Sequence, residues 1–147
     1  MTLKNSISLK EKAKEIRKEV LRICSSVGCG HVTSTFSSIE FLVALYYGGL
    51  LNFNPCNPKD DSRDRFILSK GQSAIALYYI LGDLGFYNKE DVNGFAREGN
   101  KFCLHPSHDI PGVEQKSGSL GHGLGIASGI AYALKYDKKL PLVYCYM

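Results

Sequence analysis

The sequence predicts an α/β fold in which a parallel sheet is flanked by helices. The first observation is a short apolar run at 65–68 that leads through Ser-Lys-Gly-Gln into a helical pattern, which is the order of a βα unit. The second is the near-continuous apolar run at 140–147, which is typical of a strand buried in a parallel sheet.

The length and composition fit one globular domain. The chain has 147 residues, of which 44% are hydrophobic and 22% charged. The longest apolar runs, Phe41 to Tyr47 and Ala74 to Leu81, are far too short to span a bilayer. The first six residues lack the apolar segment of a signal peptide. We therefore expect a cytoplasmic protein with no membrane contact.

The net charge and the cysteines argue against a nucleic-acid-binding protein and against a disulfide-bonded protein. A net charge of +4, from 18 basic and 14 acidic residues, suits a phosphorylated small molecule but does not indicate nucleic-acid binding. Five cysteines with no C-x-x-C pair predict reduced and mostly buried thiols rather than a disulfide framework.

Two capping boxes predict where the first helices begin. Ser8 with Glu11 opens an amphipathic helix that ends at Gly28. Ser37 with Glu40 predicts the start of a second helix, which runs to the next pair of glycines. His31 lies between the two helices, where a side chain can face a cleft. From the residues alone, a hydrogen-bonded loop histidine is the favoured interpretation of His31.

The middle of the chain alternates turns with short elements. Residues 51–61 are rich in Pro, Asn and Asp and predict turns. A strand at 65–68 and a helix over 74–84 follow, and Asn88 is expected to cap a short helix that extends to Gly99. Residues 100–117 form a long irregular segment with many polar side chains, which makes it a candidate functional loop.

A glycine-rich turn precedes the last predicted helix. Gly118, Gly121, Gly123 and Gly125 fall within eight residues, and an Ala-rich helical pattern runs on to about Tyr136. Glycines at this density let a backbone approach a ligand closely. The alternative is a tight turn packed under a helix, with no ligand.

The residues leave several chemistries open. Cys103, His105 and His108 lie close together, but their spacing is irregular for a structural zinc site. The glycine-rich turn follows a loop rather than a strand, so a dinucleotide fingerprint is weakly supported. No nucleophilic elbow is present. The residues thus indicate an α/β pocket for a cofactor or a phosphate, lined by histidines, without naming the cofactor.

Six short blocks that follow one another in order give a more specific signal. They are Gly30-His31, Asn52-Phe53-Asn54-Pro55, Arg63 to Gly71, His105-Pro106, Pro111-Gly112-Val113-Glu114 and Gly118 to Leu124. In these blocks the chain resembles the N-terminal part of transketolase, the thiamine diphosphate enzyme, and especially its two-chain bacterial form. The resemblance runs from about residue 8 to the end of the chain.

The resemblance implies roles for particular residues. His31 would lie near the reacting carbon, position the donor sugar and move its protons, and His105 would contact the hydroxyl end of the donor. Backbone groups of Gly118 and Leu120 would embrace the aminopyrimidine of the cofactor. Histidines suit such work because they bind hydroxyls and exchange protons near neutral pH. Gln72 would lie at the diphosphate end.

The resemblance also implies what accompanies the chain. Thiamine diphosphate would be held with a Mg or Ca ion, whose Gly-Asp-Gly ligand segment is expected beyond the end of this chain. Residues 1–147 would be the N-terminal portion of the diphosphate-binding domain, and the abrupt end after a strand suggests a fragment or one piece of a split protein. The expected partners are sugar phosphates and a C-terminal transketolase part or subunit, in a homodimer or heterotetramer. The chain alone is expected to be inactive.

One residue departs from the family pattern. Gln72 stands where the family usually has a histidine, and an amide can donate a hydrogen bond but cannot titrate. The expected function is transfer of a two-carbon ketol unit between sugar phosphates. The alternative is a non-catalytic remnant that binds a partner chain, and a zinc-binding module comes third.

Overall fold

The computed structural model describes residues 8–147. In chain order it has five α-helices, two strands and two 3₁₀ helices within that range. They are α1 (Leu9–Val27), α2 (Val32–Phe36), α3 (Ile39–Tyr47), β1 (Arg65–Leu68), a 3₁₀ helix at Gly71–Ser73, α4 (Ala74–Asp83), a 3₁₀ helix at Lys89–Gly94, α5 (His122–Tyr136) and β2 (Val143–Tyr146).

The start of α1 confirms the first predicted capping box. The Glu11 amide donates to Ser8 Oγ at 3.2 Å, and the Ser8 amide donates to Glu11 Oε2 at 2.9 Å. At the other end Gly28 adopts a left-handed conformation with φ of 71°, which a residue without a Cβ adopts freely. The buried face of α1 follows the predicted periodicity and consists of Ala13, Ile16, Val20, Ile23 and Cys24.

The second predicted capping box, Ser37 with Glu40, is wrong. Because the chain is already helical in α2, Ser37 does not begin a helix, and its hydroxyl donates back to the Ser34 carbonyl at 2.9 Å. Glu40 instead forms an ion pair with Arg17 of α1. Helix α3 begins one residue later than expected, with Ser38 at its N-cap and no side-chain capping bond.

The two strands pair in parallel, as predicted. Arg65 is opposite Val143 and Leu68 is opposite Tyr146. Their carboxyl ends therefore meet at one edge of the sheet, which is where ligands bind in folds of this kind. Strand β1 is largely buried, whereas every residue of β2 is only half-buried.

The main core lies on one face of β1. Phe66 and Leu68 pack there with the buried faces of α1 and α3 and with α4, in which nine of ten residues are buried. Ile67 points to the opposite face, toward α5. Only Gly123 and Ala127 of α5 are buried, so this helix covers the sheet with a narrow stripe.

Two further expectations need correction. Asn88 does cap a helix, because its Oδ1 accepts from the Glu90 amide at 3.1 Å, but the helix is 3₁₀ and ends at Gly94 rather than Gly99.

The five cysteines are free thiols, as predicted. They are not mostly buried, since only Cys24 is buried, Cys145 is intermediate and the remaining three are exposed. Periodicity places an apolar side chain well, but a thiol in a loop has no such pattern.

In the described range, 8–147, no helix combines the length and the apolar character that a membrane crossing requires.

Candidate functional site

Two histidines from distant parts of the chain meet at the site. His31 is the N-cap residue of α2, and His105 belongs to the long irregular segment. Their ring centroids lie 5.7 Å apart with an interplanar angle of 54°. The His31 side chain makes no hydrogen bond with another residue of 8–147, so its ring is free to bind a ligand. The backbone before it is tightly packed, because a Cβ on Gly30 would lie 2.5 Å from Cys24 Sγ.

His105 is anchored through its backbone. The hydroxyl of Tyr78, a fully buried residue of α4, donates to the His105 carbonyl at 2.9 Å. Pro106 beside it is buried, as are Phe102 and Ile110 elsewhere in the same loop. The loop is irregular, as predicted, yet it is pinned at several points.

Gln72 lies between the sheet edge and the glycine-rich turn. The side-chain Nε2 of Gln72 is 3.5 Å from the Gly118 carbonyl, at the limit of a hydrogen bond. The backbone carbonyl of Gln72 accepts a hydrogen bond from Thr35 Oγ1 at 3.2 Å. Gln72 Oε1 is buried without a partner among the described residues. The amide therefore has unused hydrogen-bonding capacity directly beside the turn.

The turn is held against the end of β1 by two serines. The Gly123 amide donates to Ser69 Oγ at 3.0 Å, and Ser117 Oγ donates to the Leu68 carbonyl at 2.6 Å. The contact leaves no room for side chains, since a Cβ on Gly71 would lie 2.8 Å from the Ser117 carbonyl oxygen. Glycine at 71 thus allows the turn to approach the sheet.

The outer part of the turn is open. A Cβ on Gly118 would meet only the His105 ring, at 3.8 Å, and Gly118 itself is exposed. Leu120 has 64% of its surface exposed. The structure thus brings together His31, His105, Gln72 and Gly118, with Leu120 on the exposed side of the same turn.

A cation lies at the same edge of the sheet. Lys70 Nζ donates to Ser37 Oγ at 2.6 Å and lies 5.9 Å from the centre of the Tyr146 ring. Among residues 8–147 no carboxylate lies within ion-pairing distance of Lys70. This end of the site is positively charged, which favours an anionic ligand.

The sequence predicted the turns but missed the residues that lock them. Ser69, Thr35, Ser117 and Tyr78 bond to groups that lie far away along the chain. Ser69 could have been suspected, because it follows a buried strand directly, but its partner is visible only in three dimensions. Tyr78 lies in a nearly continuous apolar helix and carries no local signal.

The zinc interpretation receives no support in the described part of the chain. No group of three or more His, Cys, Asp or Glu residues there could hold a metal ion. Cys103, His105 and His108 do not converge, since His105 faces His31 while His108 lies 3.4 Å from its neighbour Asp109.

Comparison with known proteins gives a consistent result. Residues 8–140 match the family described as "Transketolase, thiamine diphosphate binding domain". The chain is 35% identical over 131 residues to an apulose-4-phosphate transketolase subunit from Phocaeicola vulgatus, covering 89% of this chain and 46% of that protein. It is 36% identical over 138 residues to the subunit of the same name from Actinobacillus succinogenes, covering 92% of this chain and 50% of that one.

Solved structures agree with the sequence relatives. The transketolase of Campylobacter jejuni superimposes with a TM-score of 0.86 at 30% identity, over 93% of this chain and 23% of that one. The transketolase from Leishmania mexicana gives a TM-score of 0.84 at 28% identity, over 97% and 23%. The chain therefore spans about half the length of the two apulose-4-phosphate transketolase subunits and under a quarter of these two transketolases.

Proposed function

The chain belongs to the transketolase family, and on that basis we propose that it forms part of an enzyme that transfers a two-carbon ketol unit between sugar phosphates. We assign residues 1–147 to the N-terminal portion of the diphosphate-binding domain of that enzyme. The observation that carries the proposal is the approach of His31 and His105 to 5.7 Å beside the exposed turn at Gly118. A cytoplasmic location is part of the proposal.

The two histidines are proposed to face the donor sugar. The resemblance assigns them the reacting carbon and the hydroxyl end of the donor, and their separation supports that division of work. Rings 5.7 Å apart can hydrogen-bond to neighbouring hydroxyl groups of one sugar. An imidazole both donates and accepts a proton near neutral pH, so His31 can hold and move a proton at the hydroxyl next to the reacting carbon.

The turn is proposed to receive the aminopyrimidine of thiamine diphosphate. Exposed backbone at Gly118 and Leu120 offers amide and carbonyl groups that a flat polar ring can bind. Gln72 adds an amide with an unpartnered Oε1, and we place it toward the diphosphate, where Nε2 can donate to a phosphate oxygen. The residues present therefore fit the cofactor, which when bound supplies the electron sink for cleaving and forming the carbon–carbon bond.

A divalent ion, Mg²⁺ or Ca²⁺, is proposed to neutralise the diphosphate. Such ions need several oxygen ligands, and we assign those ligands to polypeptide other than residues 1–147. Lys70 contributes a positive charge at the same sheet edge. Thiamine diphosphate should therefore bind far more tightly to the complete assembly than to this chain.

A partner polypeptide is proposed to complete the enzyme, as a C-terminal part or subunit, in a homodimer or heterotetramer. Apolar side chains exposed on and around α5 support this proposal: Leu124, Tyr132, Tyr136, Leu140 and Leu142. The backbone of β2 supports it as well. The carbonyls of Leu142 and Tyr146 accept bonds from β1, so the alternate residues Val143 and Cys145 direct their backbone groups away from β1.

The test is reconstitution with the second subunit of an apulose-4-phosphate transketolase, followed by assay of ketol transfer. His31→Ala should lower turnover by a hundredfold or more while changing cofactor affinity by less than about threefold. His108→Ala is the matched control, since His108 is exposed and lies outside the proposed site. Unchanged turnover in His31→Ala would refute the assignment.

The second candidate, a non-catalytic remnant that binds a partner, is favoured by one observation. Gln72 cannot titrate at a position where the resemblance expects a histidine. Gln72→His in the reconstituted assembly separates the two candidates. Increased transfer from ordinary ketose phosphates supports a redirected or weakened transketolase, whereas activity in neither form supports the remnant.

A further inference from the structure

We propose that Tyr78 is a positioning residue for the site. Its buried hydroxyl fixes the position of the His105 backbone by a hydrogen bond, and the His105 ring is thereby held next to His31 and Gly118. The hydroxyl-to-carbonyl distance is 2.9 Å. This inference rests on the proposed function for the role of His105, whereas the geometric part of it stands by itself.

The need for such a residue follows from where His105 lies. The irregular segment at 100–117 has no regular ladder of hydrogen bonds to fix its backbone. The His105 ring must nevertheless stay 5.7 Å from the His31 ring and next to Gly118. Among the described hydrogen bonds, the bond from Tyr78 is the one that holds the backbone of His105 to a helix. Removing it frees the peptide group that carries the ring.

Tyr78 is itself rigidly held. Its ring packs against Phe102 with centroids 5.2 Å apart and against Phe95 at 6.4 Å. The Tyr87 hydroxyl also donates to the Tyr78 carbonyl at 2.8 Å, but this bond is made to the main chain, which α4 already fixes. Helix α4, which carries Tyr78, begins directly after Gln72 and Ser73, so one rigid element connects both sides of the site.

The hydroxyl remains a donor throughout the working range. Burial raises the pKa of Tyr78 well above its ordinary value, so the proton is present at every pH at which the enzyme would operate. The His105 carbonyl is an acceptor at every pH. A bond between two groups that do not titrate gives a positioning contact that is independent of pH.

The chain offers a matched pair of variants. Tyr78→Phe deletes one hydroxyl that bonds to His105, and Tyr87→Phe deletes one hydroxyl of the same aromatic cluster that bonds to Tyr78 instead. Both remove a buried tyrosine-to-carbonyl bond, so both should lower the thermal midpoint to a similar extent. Only the first should move His105.

The first readout is histidine NMR of the full chain. The wild type and Tyr87→Phe should show a cross-relaxation peak between the His31 and His105 rings, and Tyr78→Phe should lose or weaken it and shift the His105 ring signals. Replacement of Tyr78 with 4-aminophenylalanine, which retains a donor, should restore the peak. An unchanged peak and unchanged His105 signals in a folded Tyr78→Phe would overturn the proposal.

Two further measurements cover the remaining outcomes. In the wild-type chain the Tyr78 hydroxyl proton should exchange slowly with solvent and show a cross-relaxation peak to a proton of His105. If that peak is absent, the proposal is overturned, even if Tyr78→Phe does not fold. In the reconstituted enzyme Tyr78→Phe should lower kcat by about tenfold to a hundredfold with little change in KM, and Tyr87→Phe by less than about twofold. If His105→Ala is fully active, the proposed role of His105 fails while the NMR result stands.

Discussion

The Ser69 hydroxyl accepts a hydrogen bond from the Gly123 amide at 3.0 Å in a buried contact. This bond joins the residue that follows β1 to the first turn of α5, so it fixes how closely the helix approaches the sheet. Gly123 is also one of the four glycines of the glycine-rich turn. The position of the turn relative to Gln72 therefore depends on a contact between two small residues.

Gly123→Ala should destabilise the chain. The new Cβ would lie 2.5 Å from Ser69 Cβ and 2.9 Å from Ile67 Cγ2, so α5 would have to move away from β1. Overpacking of this kind costs about 1–3 kcal/mol in the free energy of unfolding, which urea denaturation measures. The control is Gly125→Ala on the same helix, where a Cβ meets nothing within 4 Å. It should instead stabilise the chain by about 0.5–1 kcal/mol.

Glu114→Gln should lower the free energy of unfolding more than Glu40→Gln does, because the ion pair of Glu40 is more exposed. Glu114 binds both terminal nitrogens of Arg63, with Nη2 to Oε2 at 3.0 Å, and both side chains are about 15% exposed. The substitution leaves a largely buried guanidinium without its carboxylate, which costs about 3 kcal/mol. Glu40→Gln removes the partner of Arg17 on the surface and should cost less than about 1 kcal/mol. Equal losses in urea denaturation would contradict the prediction.

Acid should destabilise the chain through Asp83. Burial by itself raises the pKa of Asp83, but hydrogen bonds from Lys89, Tyr47 and Lys12 outweigh burial and hold the pKa below the ordinary 3.8. The folded state therefore prefers the ionised carboxylate. Its contribution is fully present above the ordinary pKa and is lost as the pH falls through the lower pKa of the folded state.

Asp83→Asn tests this directly. At pH 7 the variant should lose about 1–3 kcal/mol of unfolding free energy, because three bonds to a partly buried carboxylate are weakened. The gap between the variant and the wild type should narrow steadily as the pH falls below about 4. Urea denaturation at several pH values measures the gap. A gap that stays constant down to about pH 2 would show that Asp83 does not titrate as described.

Gln72→His should make cofactor binding depend on pH. A histidine beside the Gly118 carbonyl becomes cationic as the pH falls through about 6.5, and a cation attracts a diphosphate. Relative to the wild type, the reconstituted variant should bind thiamine diphosphate more tightly at pH 5.5 than at pH 8, by about tenfold. Gln115→His is the control, because Gln115 bonds to the neighbouring Lys116 carbonyl and lies outside the proposed site. Isothermal titration calorimetry gives both affinities.

Features set by neighbouring residues were predictable from the sequence. The capping box at Ser8 and Glu11 depends on groups three residues apart, and it forms as expected. The two parallel strands follow from apolar runs separated by helical patterns. The family resemblance supplied His31 and His105, which the residues alone did not single out as a pair.

Features set by contacts distant in sequence were not predictable. Ser37 and Glu40 have the spacing of a capping box, yet Ser37 binds Lys70 and Ser34, and Glu40 binds Arg17. These partners occupy the side chains of Ser37 and Glu40, which the capping-box pattern assumes are available to cap the helix. The role of Tyr78 was not predictable for the same reason, because its hydroxyl bonds to a loop residue that is distant in sequence.

The outward edge of β2 has a practical consequence for handling the protein. Val143 and Cys145 direct their backbone groups away from β1, in a segment that carries no charge between Leu140 and Met147. Uncharged, β-prone edges are templates for fibrillar stacking. Preparations of this chain should therefore cloud or form fibres when concentrated, and co-expression with the second subunit of a relative should keep them clear.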